Sequence, residues 1–192
     1  MVAALKLTPP PAKKRRGKVK KTRTEKIAAF SIPGALERAA QILEGPCQGK
    51  VPRVEPRGTL VARFVLPVEL CVSNADRHGK PGMHDAYKAG VFKFMRLQHP
   101  IPPPAPLPGV PLVRCIKFSS VEPDRLHNGF KVPVDCLCAA KIVRDRKTGL
   151  PRKQKYRLGI IEDDRPTKAD VQQHWERAKP GEGFGMIEVY RT

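Results

Sequence analysis

The chain has 192 residues, 40% of them hydrophobic, with 37 Lys+Arg against 18 Asp+Glu, a formal charge of +19 and a pI of about 10.2. That length allows one domain with appendages or two very small ones, and no apolar run reaches membrane-spanning length, which argues against a membrane partner. The amino terminus has too short an apolar stretch for a secretory signal, and the five cysteines (Cys47, Cys71, Cys115, Cys136, Cys138) are odd in number. Both features argue against a secreted disulfide scaffold and point to free thiols in a reducing, cytoplasmic setting.

The charge is unevenly spread. Residues 1–26 hold ten Lys/Arg and one Glu, about half of the excess, among prolines and few buriable side chains. The composition predicts a disordered basic arm over 1–30, with Lys13, Lys14, Arg15, Arg16, Lys20 and Lys21 as candidate phosphate contacts. The remainder is still basic, so the arm alone does not account for the balance.

"SIPGALERAAQILEG" predicts a helix, opened by Ser31 or Pro33 and stopped by Gly45. The Pro- and Gly-rich stretch after it reads as a linker, so that 31–58 form a helix plus linker ahead of a main domain over 59–192. "TLVARFVLPV" predicts a buried strand ended by Pro67. "HDAYKAGVFKFMRLQ" predicts a helix with Tyr87, Val91, Phe94 and Met95 on one side. "HPIPPPAPLPGVP" predicts a stiff loop, or a polyproline ligand for a partner.

"PLVRCIKFSS" alternates and predicts a strand. A helix from about Gly129 to Val143, capped by Asn128, should follow, with Pro133 near its first turn. "RDRKTGLPRKQKYR" reads as a basic excursion, with Arg152 and Lys153 as candidate nucleic-acid contacts. "LGIIEDD" reads as a short strand or turn. "ADVQQHWERAK" and "FGMIEVYR" flank "PGEG" and predict a hairpin, with Trp175 in core or dimer packing or else stacking on a base, and His174 unremarkable. The order β-α-β-α-β-β predicts an α/β fold: a small mixed sheet with flanking helices.

Several features then coincide. A strand ends in "SSVEPD", a helix opens with "HNGFKVPVDCL", and a Gly-apolar-apolar-acid-acid-acid turn follows. Asn128, Lys131, Asp135 and Leu137, with Gly159, Ile160, Ile161, Asp163 and Asp164, fall on the spacing of a known pattern. Over about residues 60–190 the chain resembles the RusA-type Holliday-junction resolvases, a phage and bacterial endonuclease family. The resemblance implies a RusA-like fold, a homodimer, branched DNA as substrate and Mg²⁺ as cofactor. It implies Lys131, Asp135 and Asp164 as catalytic residues, and Asp135, Asp163 and Asp164 as metal ligands, with Asp124 as a displaced substitute and Glu162 nearby.

Carboxylates hold a hard cation that activates water, and a lysine stabilises the developing negative charge. The chain departs from the family at two acids, which align with Arg125 and His127, and in the excursion over about 142–157. Arg125 would repel a cation and serve instead as a DNA contact, as would Lys131 at the helix start. The expectation is therefore a metal-dependent endonuclease of reduced activity. The alternatives are a non-catalytic DNA-binding descendant and a basic RNA-binding protein.

Overall fold

The computed structural model describes residues 22–50, 52–71, 83–101, 103–122, 129–145 and 148–192. Its elements, in order, are α1 (Arg23–Ala28), α2 (Ile32–Glu44), β1 (Thr59–Pro67), a 3-10 turn at Val68–Leu70, α3 (Met83–Gln98), β2 (Leu112–Ser119), α4 (Lys131–Leu137), β3 (Ile142–Arg144), β4 (Pro151–Lys153), β5 (Asp170–Arg177) and β6 (Phe184–Arg191). The expected α/β class is present as a four-stranded mixed sheet with helices beside it, ordered β1-β6-β2-β5. β6 runs antiparallel to both β1 and β2, and β5 runs parallel to β2.

Local chemistry sets most boundaries. Ser31 caps α2 by accepting a hydrogen bond from the Gly34 amide at 3.2 Å, and the helix ends at Gly45. α3 lies where its apolar spacing places it, with Val91 and Met95 fully buried. β2 is buried on both faces at nearly every position, as befits a strand inside the sheet with helices on both sides.

The two faces of the sheet are packed by different elements. On one, α3 and α4 bury Val91, Met95, Val132 and Leu137 against Phe64, Leu66, Val113, Ile187 and Val189. On the other, α2 presents Ala35 and Ala39 to Val65, Ile116, Phe118, Phe184 and Met186. Phe118 and Phe184 stack there at 4.3 Å between ring centroids, worth about 1 kcal/mol beyond their buried area.

Beyond α2, the second face is covered by the Pro- and Gly-rich segment expected to be a linker, which is part of the fold. Arg53 donates to the carbonyls of Ile42 (3.0 Å), Leu43 (2.7 Å) and Gly45 (2.6 Å), so it satisfies the open C-terminal end of α2. The same guanidinium meets Glu176 of β5 at 2.5 Å. Arg114 donates to the Val54 carbonyl at 3.1 Å and pairs with Glu188, which also accepts from Arg63 (2.8 Å) and Tyr190 (2.9 Å). Glu176 and Glu188 are fully buried and fully partnered, as a buried charge must be. Where the segment enters β1, Gly58 has φ +92°, and a Cβ there would stand 1.9 Å from the Arg191 carbonyl oxygen.

Three expectations are corrected, and one is given its form. Of the arm predicted disordered over 1–30, residues 1–21 lie outside the described residues, and the rest contains α1, nucleated by a capping box between Thr22 and Glu25 and tied down by the Arg23 guanidinium on the Glu69 carbonyl (2.6 Å). The helix predicted to reach Val143 stops at Leu137, because Cys138 turns extended and bridges Ile161. The basic excursion takes the form of a two-stranded ribbon, β3 with β4, on either side of its glycine turn. β5 and β6 do not form a hairpin: β2 lies between them, and residues 178–183 span roughly 10 Å across it.

Candidate metal and phosphate site

The acidic turn is held against α4 by backbone geometry. Ile160 N–H donates to the Leu137 carbonyl (2.8 Å), Leu158 N–H to Cys136 (2.6 Å), and Ala139 N–H to Ile161 (2.7 Å). Gly159 turns the chain at φ +76°, a conformation costly for any residue with a Cβ. Ile160 and Ile161 are buried, anchoring the turn so that the acids after them emerge at the surface.

The expected catalytic residues meet there. Lys131 Nζ lies 3.2 Å from Asp135 Oδ1, one helical turn on, and also contacts Asp164 Oδ2. Asp163 accepts from Lys141 Nζ and Arg165 Nε, both at 2.6 Å, and its other oxygen accepts the Asp164 N–H at 2.9 Å. Arg157 donates to the Asp135 carbonyl, and its guanidinium stands 3.9 Å from Asp135 Oδ1. Tyr156, just before it, has φ +60°, the single non-glycine residue of positive φ among the described residues. Glu162 turns away to Lys168 at 2.9 Å.

These contacts set the charge states. The Lys141 hydrogen bond, foremost, holds Asp163 well below the usual carboxylate range against the opposing effect of burial. Partial burial works to lower Lys131, but Asp164 and Asp135 outweigh it and raise it, so the ammonium stays charged. Burial pushes the Cys138 thiol up to about 11, and its Sγ points to the Val134 carbonyl at 3.5 Å.

Ligand atoms of Cys138, Asp163 and Asp164 lie within 4.8 Å of one another, with Asp135 linked to them through Lys131. The carboxylate oxygens suit a hard divalent cation, and a protonated thiol adds no soft ligand. Each of the three aspartates already faces a protein cation, so a metal would compete with those partners.

The remaining candidates are scattered. Arg152 and Lys153 are exposed on β4 of the ribbon, Arg152 at 3.6 Å from Asp145. Lys13, Lys14, Arg15, Arg16, Lys20, Lys21, Asp124, Arg125, His127 and Asn128 lie outside the described residues. Phe130, not Asn128, holds the cap position of α4 and offers no side-chain cap. Trp175 is 8% exposed and donates to Ser119 Oγ at 2.9 Å, which places it in the core and not on a base-stacking surface. The partners Lys141, Arg157 and Arg165 were missed, because inside a basic run their charges read as part of a general polyanion surface.

No helix among the described residues is long and apolar enough to cross a membrane. In comparison with known proteins, no family model, no curated protein and no solved structure matches the chain.

Proposed function

We propose that this protein binds branched DNA, in the manner of the RusA-type resolvases, and cleaves it slowly by metal-dependent phosphodiester hydrolysis at the α4–acidic-turn cluster. The observation that carries this reading is the meeting of Lys131 with both Asp135 and Asp164, residues on two segments far apart in sequence. The resemblance selects those three by spacing alone, and a basic RNA-binding protein has no need of their convergence. A homodimer would set two such sites across a junction. The setting would be the cytoplasm of a bacterium or of its phage-infected counterpart.

Asp135, Asp163 and Asp164 would hold Mg²⁺, which when bound supplies a polarised water and neutralises charge on the phosphate. Lys131 remains protonated and stabilises the negative charge that develops on the phosphoryl oxygens. Arg157 fixes α4 through the Asp135 carbonyl, and so orients that carboxylate. Lys141 and Arg165 hold Asp163 ionised and ready to act as a ligand, while they compete with a cation for the same oxygen.

That competition favours a second reading, a DNA-binding protein without cleavage, in which internal cations have taken the place of the metal. A synthetic four-way junction, incubated with Mg²⁺ or Mn²⁺ and scored for binding and nicking, separates the two. Slow, symmetric nicking that disappears in Asp164→Asn, with binding retained, is the expected result. Binding without nicking selects the second reading. Vigorous cutting that survives Asp164→Asn would show that the cluster is misassigned, and failure to bind any DNA would remove both.

A further inference from the structure

Two cavities of about 620 and 650 Å³ adjoin on the α2 side of the sheet, where β2 and β5 end. They share Ser120 and Lys179 and together form one groove along α2. Lys26 and Arg38 line one part and Arg177 the other, with Lys179 between. The carboxylates on its walls are Glu69 and Glu182. Glu69 is taken up by Lys26 at 3.3 Å, which leaves Arg38, Arg177 and Lys179 against Glu182.

Arg38 is the most informative of these. Its guanidinium lies over the Phe184 ring, 5.6 Å from the centroid, so the side chain is held in place. Its Nε is buried and has no hydrogen-bond partner, and among the described residues no carboxylate lies within salt-bridge distance. A buried, unmatched guanidinium N–H costs free energy unless something accepts from it. Ser120, Arg177 and Lys179 are exposed, so the groove is open to solvent along its length and suits an extended polymer.

We infer that this groove binds the phosphodiester backbone of nucleic acid, at a place separate from the acidic cluster. A cleft with low-dielectric walls and an excess of one sign concentrates the opposite charge, and guanidinium and hydroxyl donors are the groups that bind phosphate oxygens. The groove depends on α2, which lies outside the segment that carries the resemblance. It draws on the nucleic-acid part of the proposed function and needs no cleavage.

The test is the salt dependence of DNA affinity for the full chain, measured by fluorescence anisotropy on a four-way junction and on a plain duplex. The variants are Arg38→Gln/Lys179→Gln, Lys179→Gln alone and a control, Lys93→Gln/Arg96→Gln, which removes two charges from α3. Lys179 lies in an exposed turn, so its single variant folds whatever happens at Arg38. The slope of log affinity against log salt should flatten by about one unit for each phosphate no longer neutralised, about two for the groove pair, and stay unchanged in the control. Equal flattening in groove variant and control, or none in the groove variants, overturns the groove. Flattening with no junction preference and no nicking upholds the groove while removing the proposed activity. Absence of binding by the wild type to either DNA overturns both.

Discussion

The two faces of the sheet solve the burial problem in opposite ways. The α3–α4 face is almost wholly apolar, and its charged residues stand at its margin, where Lys131, Asp135, Asp163 and Asp164 remain reachable. The α2 face is apolar only under the helix. Beyond it lie Arg63, Arg114 and Tyr190 gathered on Glu188, and Glu176 on Arg53; Arg114 and Glu176 tie the group to the segment after α2. Both sets of charges are paired, but those of the first face pair where water reaches them and those of the second pair in the interior. Similar residue types thus end in a solvent-facing cluster or in a buried network according to how far water is excluded.

The contrast can be broken most sharply at Glu188. Glu188→Ala leaves Arg114 and Arg63 without their carboxylate, and should destabilise the protein by about 3–5 kcal/mol in denaturant unfolding. Phe64→Ala, on the apolar face, should cost about the same by opening a cavity. A Glu188→Ala loss below about 1 kcal/mol would mean that the charged network is ornamental.

A smaller effect is expected at Gly159. Gly159→Ala has room for its Cβ but must keep φ +76°, which should cost about 1–2 kcal/mol. Because the turn carries Asp163 and Asp164, any junction nicking should fall with it, while duplex binding stays. An alanine variant as stable as the wild type would show that the turn readily adopts another conformation.

At the margin of the first face, Lys131→Met should raise Mn²⁺ affinity several-fold, on the order of 1 kcal/mol for one partly screened charge, while lowering any nicking rate. Titration by calorimetry reads the first effect. Unchanged affinity would mean that the ammonium does not compete with a metal.

The smallest effect separates the faces by pH. His174 is 6% exposed with both ring nitrogens unpartnered; burial first, then the neighbouring Arg114 charge, lowers its pKa from the ordinary 6.5. The fold therefore favours neutral imidazole, and the unfolded chain takes up the proton first as pH falls. This contribution is fully present above about pH 6.5 and is lost as pH drops below it. In thermal scans at pH 7.5 and 5.5, His174→Gln should lose less Tm than the wild type, by at most a few degrees. Equal losses would place the imidazole in contact with water.

Most helices and strands were legible because their signals are local. Ser31 and Gly45 bracket α2, and the apolar spacing of α3 is regular. Lys131, Asp135 and Asp164 were singled out by their spacing, and Lys131 touches both acids. What escaped was non-local. A six-residue turn between β5 and β6 looks like a hairpin unless β2 is known to lie between them. Arg53 looks like one more surface cation until Glu176 and the carbonyls of α2 gather round it. His174 looked ordinary because burial is decided by what packs over it, and its charged neighbours Arg114 and Glu176 come from two different strands.

The position of β6 bears on how the molecule is made. It lies between β1 and β2, pairing Thr59 with Arg191 and Leu112 with Tyr190, yet it follows both in the chain. On the ribosome, β1 and β2 must wait with open edges until residues 184–191 emerge, since nothing made earlier among the described strands fills the gap. Pairings so distant in sequence are slow to form, and waiting edges invite pairing with other chains. Loss of those eight residues should therefore leave not a shortened domain but an insoluble one.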